Sequence, residues 1–253
     1  MKIIEKEKYI KLVKAFIVNN KIYVNTLIEG IKEIEKIEGI NNKKFKKYTL
    51  SETEIKNHKG RTLKRIIYND NSKGGWLENY ENLSQNGDCV VFDESKVYGN
   101  ARVYENARVY GNAIVYGDAK VYGYTKIYGN AKIYENARVF DESKVCGYTK
   151  IYGNAEIYGN AKIYENARVH YYTIVCGYTK IYGNAQVFGN AQVVRNAQVF
   201  GNIKIFGNVR VYGNAIVYEN AKVFGNAQVY GNALIFENDI VSGDVKIFNN
   251  VEI

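Results

Sequence analysis

The chain has 253 residues, 46% of them hydrophobic, with 24 Tyr, 10 Phe and no Pro. That length holds one large domain or two small ones, and the apolar share is enough for a core. The formal net charge of +9 admits a polyanionic partner. No apolar run is long enough for a bilayer crossing, and the opening MKIIEKEKYIKLVK lacks the apolar stretch of a signal peptide.

The chain is therefore expected in the cytoplasm, without membrane contact. Cys89, Cys146 and Cys176 are odd in number and far apart, which fits free thiols better than a disulfide framework or a Cys-x-x-Cys metal site. The charge is uneven: residues 1–90 carry 18 basic and 12 acidic side chains, residues 91–253 carry 17 and 14, so the C-terminal part is only mildly basic overall.

Residues 1–45 read as a helical N-terminal extension. One helix is expected from about Ile4 to Ile17. A second opens at the capping box of Thr26 and Glu29, with Leu27, Ile31, Ile34 and Ile37 on one side. Residues 46–88 read as an α+β cap, with short strands around the turn Lys59-Gly60. The segment GGWLENYENLSQNGD closes this cap, and Trp76 is expected to cover the first coil of the C-terminal region.

Residues 89–253 are a repeat. From Val91 to Ile253 every sixth residue is Val or Ile, in 28 of 28 positions. Two residues before each lies a small side chain in most units, as in Ala101-Arg102-Val103-Tyr104. Period-two alternation sends the small and aliphatic residues inward and the charged and aromatic ones outward. The remaining pair, mostly Gly-Asn or Glu-Asn, forms a corner, because Gly and Asn tolerate left-handed backbone. Four-residue strands joined by two-residue corners form a coil.

The pattern resembles the hexapeptide repeat of left-handed parallel β-helix proteins, in which three hexads make one triangular coil. That resemblance implies an all-β solenoid of about nine coils, roughly 43 Å long at ~4.8 Å per coil. The stretch GGW…NLS…G directly before YGNA hexads resembles uncharacterised phage and prophage repeat proteins, and is carried here by Gly74, Gly75, Trp76, Asn82, Leu83, Ser84 and Gly87. Residues 1–45 fall outside it.

Eighteen-residue spacing sorts the outward residues into three faces. One carries Arg108, Lys126, Lys144, Lys162 and Lys180, with Tyr110, Tyr128, Cys146, Tyr164 and Tyr182 beside them. Adjacent cations repel by about 0.9 kcal/mol in a water-like dielectric. The column reads either as a solubilising surface or as a phosphate ladder with the tyrosines as stacking platforms. Tyr124, Tyr148, Tyr172 and Tyr178 replace corner Asn and are expected to project from the edges. The stretch 158–185 repeats 128–155 at 23 of 28 positions, an offset of five hexads that moves every copied residue to another face.

Signals for catalysis are weak. The resemblance includes acyltransferases, which use an interface histidine and extruded loops. This chain has His58 and His170, no extruded loop, and no residue placed to orient His170 as a base. It also includes zinc carbonic anhydrases, whose three histidine ligands two histidines cannot supply. No cofactor and no metal are expected. Val245, Ile247, Val251 and Ile253 keep the last coil apolar, which predicts a homodimer through the C-terminal coils.

The favoured expectation is a non-enzymatic β-helix that binds and blocks a host macromolecule, such as a defence protein or nuclease, in the phage setting that the resemblance implies. The alternatives are nucleic-acid binding through the Tyr/Lys face and a hexapeptide-type acyltransferase.

Overall fold

The computed structural model describes residues 46–57 and 59–249, together with the strands Ile17–Val18 and Lys21–Ile22, which pair antiparallel. The chain divides into two compact units, Met1–Lys46 and Lys47–Ile253. The two helices expected in the extension lie outside the described residues, apart from Ile17, which begins the strand pair. His58, Val251 and Ile253 also lie outside them.

The second unit is a parallel β-solenoid with three faces. Successive hexads give one short strand each, and every third strand joins the same sheet. Ile114-Val115 pairs in parallel with Lys96-Val97 on one side and Lys132-Ile133 on the other. The result is two nine-stranded sheets and one of twelve, in which three cap strands extend the ladder.

The inward columns make the core. Val139, Ile151, Ala155 and Ile157 are fully buried, as are their equivalents along the rod. Where Ser or Thr replaces inner Ala, the hydroxyl is satisfied locally. Thr125 donates to the Tyr122 carbonyl at 2.7 Å, and Thr149 to the Cys146 carbonyl at 2.6 Å. A buried hydroxyl with a partner avoids the cost of an unpaired one.

The corners differ from the sequence expectation in one respect. Only the first corner residue takes positive φ, and it is mostly Gly or an acid: Gly147 at +72°, Glu105 at +60°, Asp141 at +58°. The Asn that comes next builds ladders instead. Asn196 Nδ2 donates to Asn214 Oδ1 at 3.0 Å, and Asn214 to Asn232 at 3.1 Å.

Where the sequence predicts an α+β cap, the described residues hold an antiparallel hairpin, Tyr48–Lys56 with Thr62–Tyr68, a third strand Lys73–Leu77, and a 3-10 turn Tyr80–Asn82. The third strand is already part of the solenoid. Leu77 pairs in parallel with Val97, and Leu83 bridges Val103, so a further coil precedes the hexads and the rod has about ten turns.

Asn82 makes that coil possible. Fully buried, it accepts the N–H groups of Glu78 and Asn79 and donates to the carbonyls of Gly99 and Ala101. Gly74 and Gly75 are needed for close approach: a Cβ on Gly75 would lie 2.5 Å from the Ser95 carbonyl oxygen.

Trp76 is buried in a second, smaller cluster with Leu63 and Tyr98, with Arg65 over its ring and its indole N–H on Glu94 at 3.0 Å. Tyr48 and Tyr68 belong to the core cluster instead, with Tyr48 donating to the Leu83 carbonyl and Tyr68 to that of Val91. Burial pushes both phenols up.

Candidate functional site: a basic groove with a tyrosine rim

The five predicted cations share one sheet in strict register, Arg108 to Lys126 to Lys144 to Lys162 to Lys180. They form the floor of a surface groove of about 650 Å³. None makes an ion pair within 4 Å among the described residues, whereas Arg138 on the neighbouring sheet pairs with Glu156 at 3.4 Å, and Arg61 and Arg65 pair with Glu78 and Glu94. Close like charges on a rigid sheet cost stability when nothing offsets them.

The rim is the corner that precedes each basic strand. With the coils before them, it runs Asp88, Asn106, Tyr124, Glu142, Asn160, Tyr178. Tyr124 is 67% exposed and Tyr178 68%, so both rings have free faces. Fifty-four residues separate them in sequence, three coils of the 18-residue register, or ~14 Å along the rod. The sequence singles out these two tyrosines but neither Glu142 nor Asn160, although the same spacing places all four on one corner.

The other two corner tyrosines stand elsewhere. Tyr148 and Tyr172 are exposed as expected, but each lies on a different corner, outside the groove. The duplication offset of five hexads accounts for Tyr148, since it carries Tyr148 onto Tyr178 and so from one corner to the next, whereas Tyr172 aligns with Glu142.

Tyr110, Tyr128, Tyr164 and Tyr182 need a correction of role. They follow the basic residues on the same strands, away from the groove, and they stack on one another. The rings of Tyr110 and Tyr128 lie 5.0 Å apart at 3°, and those of Tyr164 and Tyr182 4.7 Å apart at 5°. A ladder repeat near 4.8 Å leaves no room for a third ring between such neighbours. They stabilise the sheet rather than offer stacking platforms. Burial pushes the phenols of Tyr110, Tyr164 and Tyr182 up, and a hydrogen bond with Cys146, then burial, pushes Tyr128 up to about 12.

His170 is sandwiched between Tyr152 at 4.5 Å and Phe188 at 5.0 Å, with a buried Nδ1 that has no partner. Its ring belongs to a column of aromatics, and no carboxylate orients it. Among the described residues no group of three or more His, Cys, Asp or Glu could hold a metal ion, and no helix is long and apolar enough to cross a membrane. At the C-terminal end Ile247 is buried and Val245 is 44% exposed.

Comparison with known proteins supports the fold. The family model for the YdcK beta solenoid repeat matches residues 107–123, 204–219 and 227–243, a similarity that agrees with the observed solenoid. No curated protein matches the chain.

Proposed function

We propose that the chain is a non-enzymatic binding rod that holds an anionic macromolecule in the basic groove. The observation that carries this reading is the column of five cations in register on one sheet, Arg108 to Lys180, lining a groove beside exposed tyrosines. A solenoid holds such a column without a change of shape on binding, so little order is lost when the partner docks. In the phage or prophage setting that the sequence resemblance implies, the partner is a host macromolecule, and occupancy of the groove blocks it.

Heparin serves as a generic polyanion probe. The parent is expected to be retained on a heparin column and to elute with rising salt. The triple variant Lys126→Glu, Lys144→Glu, Lys162→Glu is expected to elute early. The control variant Lys132→Glu, Lys150→Glu, on another sheet, is expected to stay close to the parent. Equal retention of parent and triple variant would remove the groove from the function.

A further inference from the structure

Within that reading of the groove, the geometry points to a single-stranded nucleic acid as the occupant, with phosphates along the cation floor and bases along the rim of Tyr124, Glu142, Asn160 and Tyr178. The groove has two chemically different rails. One side is a line of positive charge at the coil spacing. The other carries two aromatic faces among hydrogen-bonding groups: Asp88, Asn106, Tyr124, Glu142, Asn160, Tyr178. A single strand has the same division, a charged backbone on one side and flat bases with donors and acceptors on the other.

Both rails end at the same coil. Beyond Lys180 the floor column becomes Gln198, Ile216 and Leu234. Beyond Tyr178 the rim becomes the Asn196–Asn214–Asn232 ladder, whose amides bond to each other. The other two sheets reach Gln in the same stretch, at Gln186 and Gln192, so the groove occupies the part of the solenoid before this change.

The rim also selects among polyanions. Tyr124 and Tyr178 keep free ring faces, unlike the stacked columns on the sheets. Duplex bases are stacked on each other and present no face to such rings, whereas a single strand does. Three coils, ~14 Å, span about four stacked base steps at 3.4 Å each. Glu142 can accept from the exocyclic amino groups of adenine or cytosine. Asn160 offers both a donor and an acceptor.

The test is fluorescence anisotropy with three labelled probes: a single strand of about 12 nucleotides of mixed sequence, the duplex of that sequence, and a poly-glutamate peptide of similar length. The single strand is expected to bind most tightly. Its affinity should fall between about 50 and 200 mM salt with a log–log slope near −3.5, from about −0.7 per neutralised phosphate. Tyr124→Ala with Tyr178→Ala is expected to weaken it roughly tenfold or more, while Tyr124→Phe with Tyr178→Phe retains it. Both side chains are exposed, and a thermal melt matching the parent confirms that the variants fold. Duplex or poly-glutamate binding as tight as the single strand, or no loss in the alanine variant, overturns the nucleic-acid assignment and leaves the groove as an anion site. Failure of all three probes and of heparin to bind overturns the groove reading as well.

Discussion

The carboxylate of Glu165 accepts the backbone N–H of Gly183, 2.8 Å away on the next coil. The same bond recurs from Glu105 to Gly123, Glu135 to Gly153 and Asp141 to Gly159. In sequence these acids stand only as the alternative to Gly in the corner pair. In the structure they occupy the left-handed corner position, Glu165 at φ +61°, and satisfy a donor of the next coil, much as a helix N-cap does. Glu165→Ala is expected to lose that bond and cost about 1–2 kcal/mol. Glu165→Gly loses the same bond but relieves the backbone, so it should be milder by about 1 kcal/mol. Urea unfolding of both decides the point, and an alanine variant at least as stable as the glycine one would contradict the corner account.

Gly147 shows why the other corners stay glycine. Its φ is +72°, and a Cβ there would lie 2.6 Å from the Glu165 carbonyl oxygen. Gly243 has a similar φ of +75° but nothing within 4 Å of a Cβ. Gly147→Ala therefore combines backbone strain with a backbone clash and is expected to cost at least ~2 kcal/mol. Gly243→Ala carries the strain alone, about 1 kcal/mol. Melting both variants side by side measures the difference. Equal losses would mean that φ alone keeps these positions glycine.

The inward columns were legible from sequence because a side-chain period of two and a chain period of six leave no other register. Val139→Asp tests that register directly. The position is fully buried between Val121 and Ile157. An aspartate there has no partner, and a loss of several kcal/mol is expected. An unchanged melting temperature would refute the inward assignment.

The basic column was legible for the same reason, since residues 18 apart must share a face. The opening coil was not. Leu77 to Val97 and Leu83 to Val103 are each 20 residues, so the hexad count fails there, and the buried amide of Asn82, not the repeat, holds the turn. The groove rim was half legible. Tyr124 and Tyr178 stand out as large residues at corners, but Glu142 and Asn160 look like ordinary corner residues until the floor beside them is in view. The sheet tyrosines misled because exposure was judged one residue at a time. Stacking along the ladder covers faces that a single hexad would leave open.

Cys146 interrupts one of those ring columns. Tyr110 and Tyr128 stack on one side of it, and Tyr164, Tyr182 and Phe200 on the other. Cys146→Tyr would place a ring in the gap and create two stacked neighbours, each contributing about 0.5–1.5 kcal/mol. A gain of about 1 kcal/mol is expected, read as a higher melting temperature. A lower one would mean that the thiol relieves crowding in the column.

His170 makes stability depend on pH. Burial between Tyr152 and Phe188 lowers its pKa, opposed by the charge of Glu135 and aided by that of Arg168. The unfolded side chain titrates near 6.5. As pH falls through that value the unfolded state takes up a proton that the folded state does not yet bind. Stability is therefore full above pH ~6.5 and declines below it, until the folded pKa is reached. His170→Phe keeps a ring in the stack and removes both the titration and the partnerless Nδ1. The variant is expected to melt above the parent at neutral pH, because an unpaired buried nitrogen is gone. The gap should widen as pH drops from about 7.5 to 5. Melting curves across that range check both parts, and a gap that stays constant or narrows would mean that the folded imidazole takes up its proton as readily as the unfolded one.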